Sequence, residues 1–257
     1  MSPVVEAYAE LAARILRRPA RLGPTRLVAV DGPSGAGKTV FASRLAAALD
    51  AAPALDDTLR SADGPSTNPA DGRNPPPDGR NPPPDGRNPP ADGPKTPVDG
   101  PKTPADGPKT PVVHTDDLLD GWADQFTFWP RLEEWILAPL RAGRPARYRR
   151  YDWTRGRFGP DWTVVPPAPV VIVEGVSSAR AVIAAELSLA VFVTAPARLC
   201  RDRTLARDGA ALAPRLTVWR RGERAHFAAD RTAERADLVV DGAAGPALEA
   251  AAFVRVR

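Results

Sequence analysis

The segment Gly32-Pro33-Ser34-Gly35-Ala36-Gly37-Lys38-Thr39 constrains this chain more than any other. It follows the short apolar run Leu27-Val28-Ala29-Val30, which ends in Asp31-Gly32, and precedes Val40 to Leu49, where Phe41, Leu45 and Leu49 recur at helical spacing. A strand, a glycine turn and a helix in that order can aim backbone N–H groups and the positive end of a helix dipole at one anion. In such a phosphate-binding loop Lys38 reaches the phosphates and Thr39 ligates Mg²⁺. The loop is therefore expected to hold a nucleoside triphosphate, ATP with Mg²⁺, through Gly32, Pro33, Ser34, Gly35, Ala36, Gly37, Lys38 and Thr39.

Further apolar runs follow. Pro111 to Asp117 reads as a second buried strand with two carboxylates at its end, and Val170-Val171-Ile172-Val173 leads into Glu174-Gly175. Leu189 to Val193 and Ala236 to Val240 complete the set. Helical segments alternate with them: a lead-in helix over residues 4 to 17, with Val4, Tyr8, Leu11 and Ile15 on one face, a helix from Leu132 to Leu140 closed by Arg141-Ala142-Gly143, and an arginine-rich helix from Pro196 to Asp208. Runs that do not alternate polar and apolar belong to strands buried on both faces. The expected fold is α/β, a doubly wound parallel sheet of about five strands in a single domain over 1–257. Ligands of such sheets bind at the carboxyl ends of the strands, where Asp31, Asp116 and Glu174 stand.

One stretch departs from this plan. From Asp71 a seven-residue period, Asp-Gly-Arg-Asn-Pro-Pro-Pro and its Asp-Gly-Pro-Lys-Thr-Pro variants, runs through six units to Val112. Proline at two or three positions per unit forbids a continuous helix, and there is no apolar seam for a coiled coil. Residues 52–110 are thus expected to be a disordered insertion, either passive or a docking tract for proline-recognising modules.

The formal charge of +4 comes mostly from arginine, since lysine occurs only at Lys38, Lys95, Lys102 and Lys109. Scattered arginines suit small anions, and no basic block calls for nucleic acid. The single cysteine, Cys200, reads as a buried hydrophobe. Acidic residues near the N-terminus and the lack of a long apolar run argue against a signal peptide or a membrane span, so a cytoplasmic, soluble protein is expected, without membrane or nucleic-acid partners and with an oligomer left open.

The loop alone does not identify a reaction. An Asn-Lys-x-Asp guanine motif, a Leu-Ser-Gly-Gly-Gln signature and a strand ending in Asp-Glu are all missing, which points towards a small-molecule kinase. Phosphoryl transfer to a hydroxyl needs a carboxylate beside the nucleophile, a metal on the phosphates and cations over the migrating group. Asp116 is the candidate base, with Lys38 on the phosphates; Glu174 organises Mg²⁺ with Thr39, and Arg203 and Arg207 are candidates for a closing lid. Asp117 reads equally as a second catalytic carboxylate or as a helix cap or solvated acid, and His114 as a packed neutral side chain. His226 reads as a surface residue. Trp153, beside Tyr151 and Asp152, is the candidate to stack on a substrate ring; Trp129 offers the same but, like Trp122, Trp135, Trp162 and Trp219, reads better as core or loop cover.

In order, Asp31 to Thr39, His114-Thr115-Asp116-Asp117, Tyr151-Asp152-Trp153, Val173-Glu174-Gly175, Arg203-x-x-x-Arg207-Asp208 and Ala236 to Val240 resemble the uridine kinase and phosphoribulokinase family, particularly its uridine kinase-like branch. The likeness spans residues 26 to 242 apart from the repeat. It implies ATP-dependent phosphorylation of a primary hydroxyl, with Asp116 as catalytic aspartate, Tyr151, Asp152 and Trp153 on the substrate side and Arg203 and Arg207 as lid arginines. Two departures concern the acceptor. Leu118-Leu119 stands where uridine kinases carry an aromatic pair, and Phe126 to Pro130 stands in place of an acidic sugar-binding motif. The expected function is transfer of the γ-phosphoryl of ATP to a nucleoside or similar small metabolite. Alternatives are a kinase for a sugar phosphate or vitamin precursor, and a nucleotide-binding regulator or scaffold whose proline repeat recruits a partner.

Overall fold

Five of the apolar runs form one parallel array in the computed structural model, which describes residues 3–52, 109–243 and 251–257. Its middle strand is β2 (Arg26–Asp31), flanked by β6 (Val170–Glu174) and β7 (Leu187–Thr194). β3 (Val112–His114) lies beyond β6, and β8 (Leu238–Asp241) beyond β7. Register places His114 opposite Glu174 and Glu174 opposite Val30, so three strands end together at one edge.

The alternation of side chains along each strand divides the core in two. Val28, Val30, Ile172 and Val191 pack against α1 (Tyr8–Arg17) and α2 (Lys38–Asp50) through Leu11, Ile15, Phe41 and Leu45. Leu27, Ala29, Val171 and Val173 face the other way, against Leu132, Ile136, Leu140 and Trp219. Both faces are covered, which is why these strands read as unbroken apolar runs.

The sheet has seven strands rather than about five, because β1 (Val4–Ala7) and β9 (Ala252–Arg255) extend it as an antiparallel pair. This corrects the lead-in helix: Val4 pairs with Arg255 and Glu6 with Phe253, and the helix begins only at Tyr8. Val4 and Val5 are β-branched and exposed, at 42 % and 64 %, so they suit an edge strand once a partner is present. That partner comes from the opposite end of the chain, beyond the reach of any local pattern.

A second small sheet, the hairpin of β4 (Ala146–Asp152) and β5 (Arg157–Val165), was not legible in the arginine-rich, glycine-broken sequence. Aromatic packing holds it. Trp135 meets Phe158 and Trp162 with ring centroids 5.7 Å apart, and the Arg147 and Arg149 guanidinium groups lie over Trp162. Trp135 belongs to α3, a continuous helical run made of Trp129–Leu132, a π-turn over Glu133–Leu137 and Ala138–Arg141. Pro139 has no N–H for the Trp135 carbonyl and crowds it, so the helix widens just ahead of the proline, with Ala138 N–H reaching back to Glu133 O. Gly143, at φ 66°, then closes α3 by donating to Leu140 O.

Three further α-helices follow among the described residues: α4 (Ala197–Asp208), α5 (Ala213–Asp230) and the short α6 (Thr232–Arg235). Within the expected insertion at 52–110, residues 53–108 lie outside the described residues. No helix among the described residues is long and apolar enough to cross a membrane.

Candidate functional site

The glycine loop connects the end of β2 to the start of α2, and its geometry requires its glycines. Gly32 has φ 138°, and a Cβ there would lie 2.1 Å from the Val193 carbonyl oxygen. Gly37, at φ 104°, is the left-handed residue from which α2 departs. Lys38 is buried, and its ammonium folds back to donate to Pro33 O at 3.0 Å. Arg203 on α4 donates to Gly35 O at 3.2 Å and Gly242 O at 2.9 Å, so it braces the loop from beneath.

Asp31, at the end of β2, serves the backbone. Its fully buried carboxylate accepts from Gly32 N–H at 2.7 Å, Ser177 N–H at 2.8 Å and Ala179 N–H at 3.0 Å, joining the loop to the turn after β6. Burial pushes this carboxyl up to about 6, against the pull of those N–H groups and the Lys38 charge. Asp31→Ala would strand three buried donors, each worth about 1–3 kcal/mol. The expected result is a loss of about 3 kcal/mol or more in urea unfolding; a variant as stable as the parent would remove Asp31 from this role.

At the end of β6, Glu174 is buried and accepts the Thr39 hydroxyl at 2.9 Å and the His114 Nδ1–H at 2.5 Å. Burial raises its carboxyl, but the His114 hydrogen bond, the Lys38 and His114 charges and the Thr39 hydroxyl outweigh it, so the net position is below the usual value. His114 moves up in turn, mainly through the Glu174 hydrogen bond and against its own partial burial. His114 is therefore the half-buried partner of a site carboxylate at a strand end, which corrects its expected reading as a packed neutral side chain inside a strand. Thr39 and Glu174 present hard oxygen donors, the chemistry that suits Mg²⁺. Among the described residues no three His, Cys, Asp or Glu side chains gather into a metal cage.

The second expected strand ends early. After His114 the chain turns into a 3₁₀ segment, Thr115–Leu118, because Thr115 packs tightly on Gly175, where a Cβ would meet Thr115 Oγ1 at 1.8 Å. The turn directs Asp116 and Asp117 differently. Asp117 accepts from Arg150 Nε at 2.9 Å and Tyr148 OH at 3.3 Å. The Asp116 carboxylate makes no hydrogen bond among the described residues. It reaches solvent through a cleft while protein atoms crowd its other sides, and that desolvation raises it above the ordinary carboxylate range, opposed by Lys38 and Arg207 and assisted by Glu174 and Asp117.

Two clefts meet there. One, of about 190 Å³, is floored by Gly35, Gly37, Lys38 and Thr39 and walled by Arg203 and Arg207. The other, of about 450 Å³, is walled by Trp122, Trp153 and Trp219 together with Leu212 and Leu216. Ser34, Thr39, Asp116, Glu174 and Arg207 line both. Arg207 is held in a two-pronged pair with Asp208 at 2.6 and 2.9 Å.

The expected substrate-side residues separate. Trp153 lines the larger cleft, 41 % exposed, and its indole N–H donates to the Asp116 carbonyl at 3.3 Å. Tyr151 packs edge-on against Trp153 and Phe158 behind that wall. Asp152 turns away and accepts from Thr154 N–H at 3.0 Å and Arg155 N–H at 2.9 Å, capping the hairpin turn. Trp129 is covered by Arg180, at 5.0 Å from its ring, instead of facing the cleft. Trp122 and Trp219, expected as core or cover, do pack with the core on that side of the sheet, and they also line the larger cleft. His226 is half-buried, stacked on Phe126 at 4.8 Å, which corrects its surface placement; burial pushes its pKa down. The residue that sequence reading missed altogether is Glu223, 2 % exposed and bonded to Ser34 of the loop. Its sole sequence signal is an acidic side chain one helical turn beyond Trp219, on the same face.

No protein-family model matches the chain, and no curated protein matches it in sequence. Among solved structures it is similar to a possible uridine kinase from Bacillus stearothermophilus, at 15 % identity and TM-score 0.50, over 90 % of this chain and 96 % of that one. A candidate fructose transport system kinase from Silicibacter sp. TM1040 matches at 17 % identity and TM-score 0.46, over 90 % and 95 % of the two chains. The chain shares the fold of the first of these structures.

Proposed function

We propose that this chain is an ATP-dependent small-molecule kinase, of the uridine kinase-like kind, that transfers the γ-phosphoryl of ATP to a hydroxyl of a nucleoside or similar small metabolite. The observation that carries the reading is the junction of the two clefts: a phosphate-loop cleft and an aromatic-walled cleft share Asp116, whose carboxylate makes no hydrogen bond among the described residues. Mg·ATP, when bound, supplies the transferable phosphoryl group and charge neutralisation.

The chain's own groups divide the remaining work. The loop amides and Lys38 hold phosphate oxygens. Thr39 and Glu174 offer oxygen ligands, with His114 and Thr39 fixing the carboxylate. Asp116 accepts the proton of the attacking hydroxyl. Arg207 adds positive charge beside Asp116, while Arg203 keeps the loop in shape. The indoles of Trp122, Trp153 and Trp219 take the acceptor's body and exclude water from the junction.

The deciding experiment incubates the purified protein with Mg·ATP and a panel of nucleosides, vitamin precursors, sugar phosphates and other small alcohols, and reads products by mass. One acceptor class gaining a phosphoryl group is the expected result. Intact ATP binding with no product across the panel would favour a nucleotide-binding regulator or scaffold instead.

A further inference from the structure

We propose that Glu223 is a positioning residue that couples the aromatic cleft to the phosphate loop, so that occupation of either half-site sets the geometry of the other. This rests on the reading of the loop as a nucleotide site. α5 turns Leu216, Trp219 and Glu223 inward, and the first two line the aromatic cleft. One turn on, the Glu223 carboxylate is buried, and every hydrogen bond it makes among the described residues converges on Oε1: Ser34 N–H at 2.9 Å, Ser34 O–H at 2.5 Å and Trp219 Nε1–H at 3.0 Å. The same indole N–H lies 3.1 Å from Ser34 Oγ.

Among the described residues, Glu223 forms no ion pair with a cation. A buried carboxylate without a counter-ion is costly, and packing alone would be better served by an apolar side chain. What it does here is take donors from two different structures through one oxygen: two from the loop and one from the cleft wall. Ser34 lines both clefts, so a shift of the loop around phosphate and a shift of the Trp219 ring around an acceptor act on the same small network. The helix backbone at this turn is pinned separately, by the Gln125 amide donating to Trp219 O at 3.1 Å. The freedom left is that of the indole and the loop, and a coupling of this kind is reciprocal.

The network provides its own probe, since Trp219 fluorescence should respond to a ligand that never touches the ring. The experiment titrates the full chain, without acceptor, with the Mg²⁺ complex of the imidodiphosphate analogue of ATP, reading tryptophan emission and calorimetric affinity. Trp219→Phe identifies the part of the signal that belongs to that ring. The parent is expected to show a Trp219-dependent change. Glu223→Gln keeps an acceptor oxygen at Oε1 and should retain the change, whereas Glu223→Leu should abolish it and weaken analogue binding by about tenfold or more. Ser34→Ala, which keeps the backbone N–H bond but removes the hydroxyl, should reduce the change and decides the matter if Glu223→Leu fails to fold. A folded Glu223→Leu, or failing that Ser34→Ala, with parental affinity and parental emission change would overturn the proposal. Analogue binding in the parent with no Trp219 response would overturn it alone, leaving the kinase reading to the product assay. No analogue binding at all would overturn both.

Discussion

Asp116→Asn is expected to lower turnover by about a hundredfold to ten-thousandfold, the range over which a positioned base contributes. Asparagine keeps the size and the acceptor oxygen but cannot take the proton of the attacking hydroxyl. Nucleotide affinity should change little, because the proposed phosphate-holding groups are the loop amides and Lys38. The sign of the pH dependence follows from the environment. Crowding by protein raises the Asp116 carboxyl, and a base must be ionised to act, so in the proposed reaction the parent's rate is expected to fall on acidification at a pH above that of an ordinary carboxylate. Asp116→Asn should lose that acid limb. Steady-state rates across pH, with calorimetric nucleotide binding alongside, check both statements; retained turnover would remove Asp116 from the base role.

Lys38→Ala is expected to abolish detectable phosphorylation, a loss of at least about a hundredfold to a thousandfold, as for removal of one preorganised donor from developing charge. Its ammonium is the only lysine charge among the residues lining the phosphate cleft, and it opposes the rise of Asp116 and helps hold Glu174 down. Removing it therefore takes away phosphate contact and moves both carboxylates towards their protonated forms. Any residual activity should have its acid limb shifted to higher pH. Product detection by mass and nucleotide calorimetry test this, with circular dichroism to show that the fold persists. Parental turnover would show that the loop does not handle the transferred group through Lys38.

The parts of this site that were legible in sequence are those built by short-range forces. The glycine loop could be read because its turn, its left-handed residues and the helix after it all lie within a few residues. The five parallel strands could be read because burial on both faces leaves unbroken apolar runs. The carboxyl-end placement of Asp116 and Glu174 followed from the strands that carry them. Asp31 was read at the same edge, but its carboxylate is committed to three backbone N–H groups, a role that depends on the turn after β6 arriving beside it. Asp152 was placed with the substrate by likeness, yet two adjacent N–H groups of its own hairpin turn hold it.

What only the tertiary structure decided are contacts between residues far apart in the chain. β1 is a strand because β9 pairs with it. His114 is a site residue because β3 lies beside β6 and presents it to Glu174. Arg203 braces the loop because α4 passes beneath Gly35 and Gly242, and Trp122 and Trp219 face a cleft because separate segments converge on it. Glu223 and Ser34, 189 residues apart, meet through no periodicity that either segment carries. A sequence by itself determines local conformation and which faces seek burial, since those follow from each residue's own sterics and hydration. Which polar group answers which donor depends on the packing of whole elements, so the phosphate loop was readable from the residues alone and the network that ties it to the aromatic cleft was not.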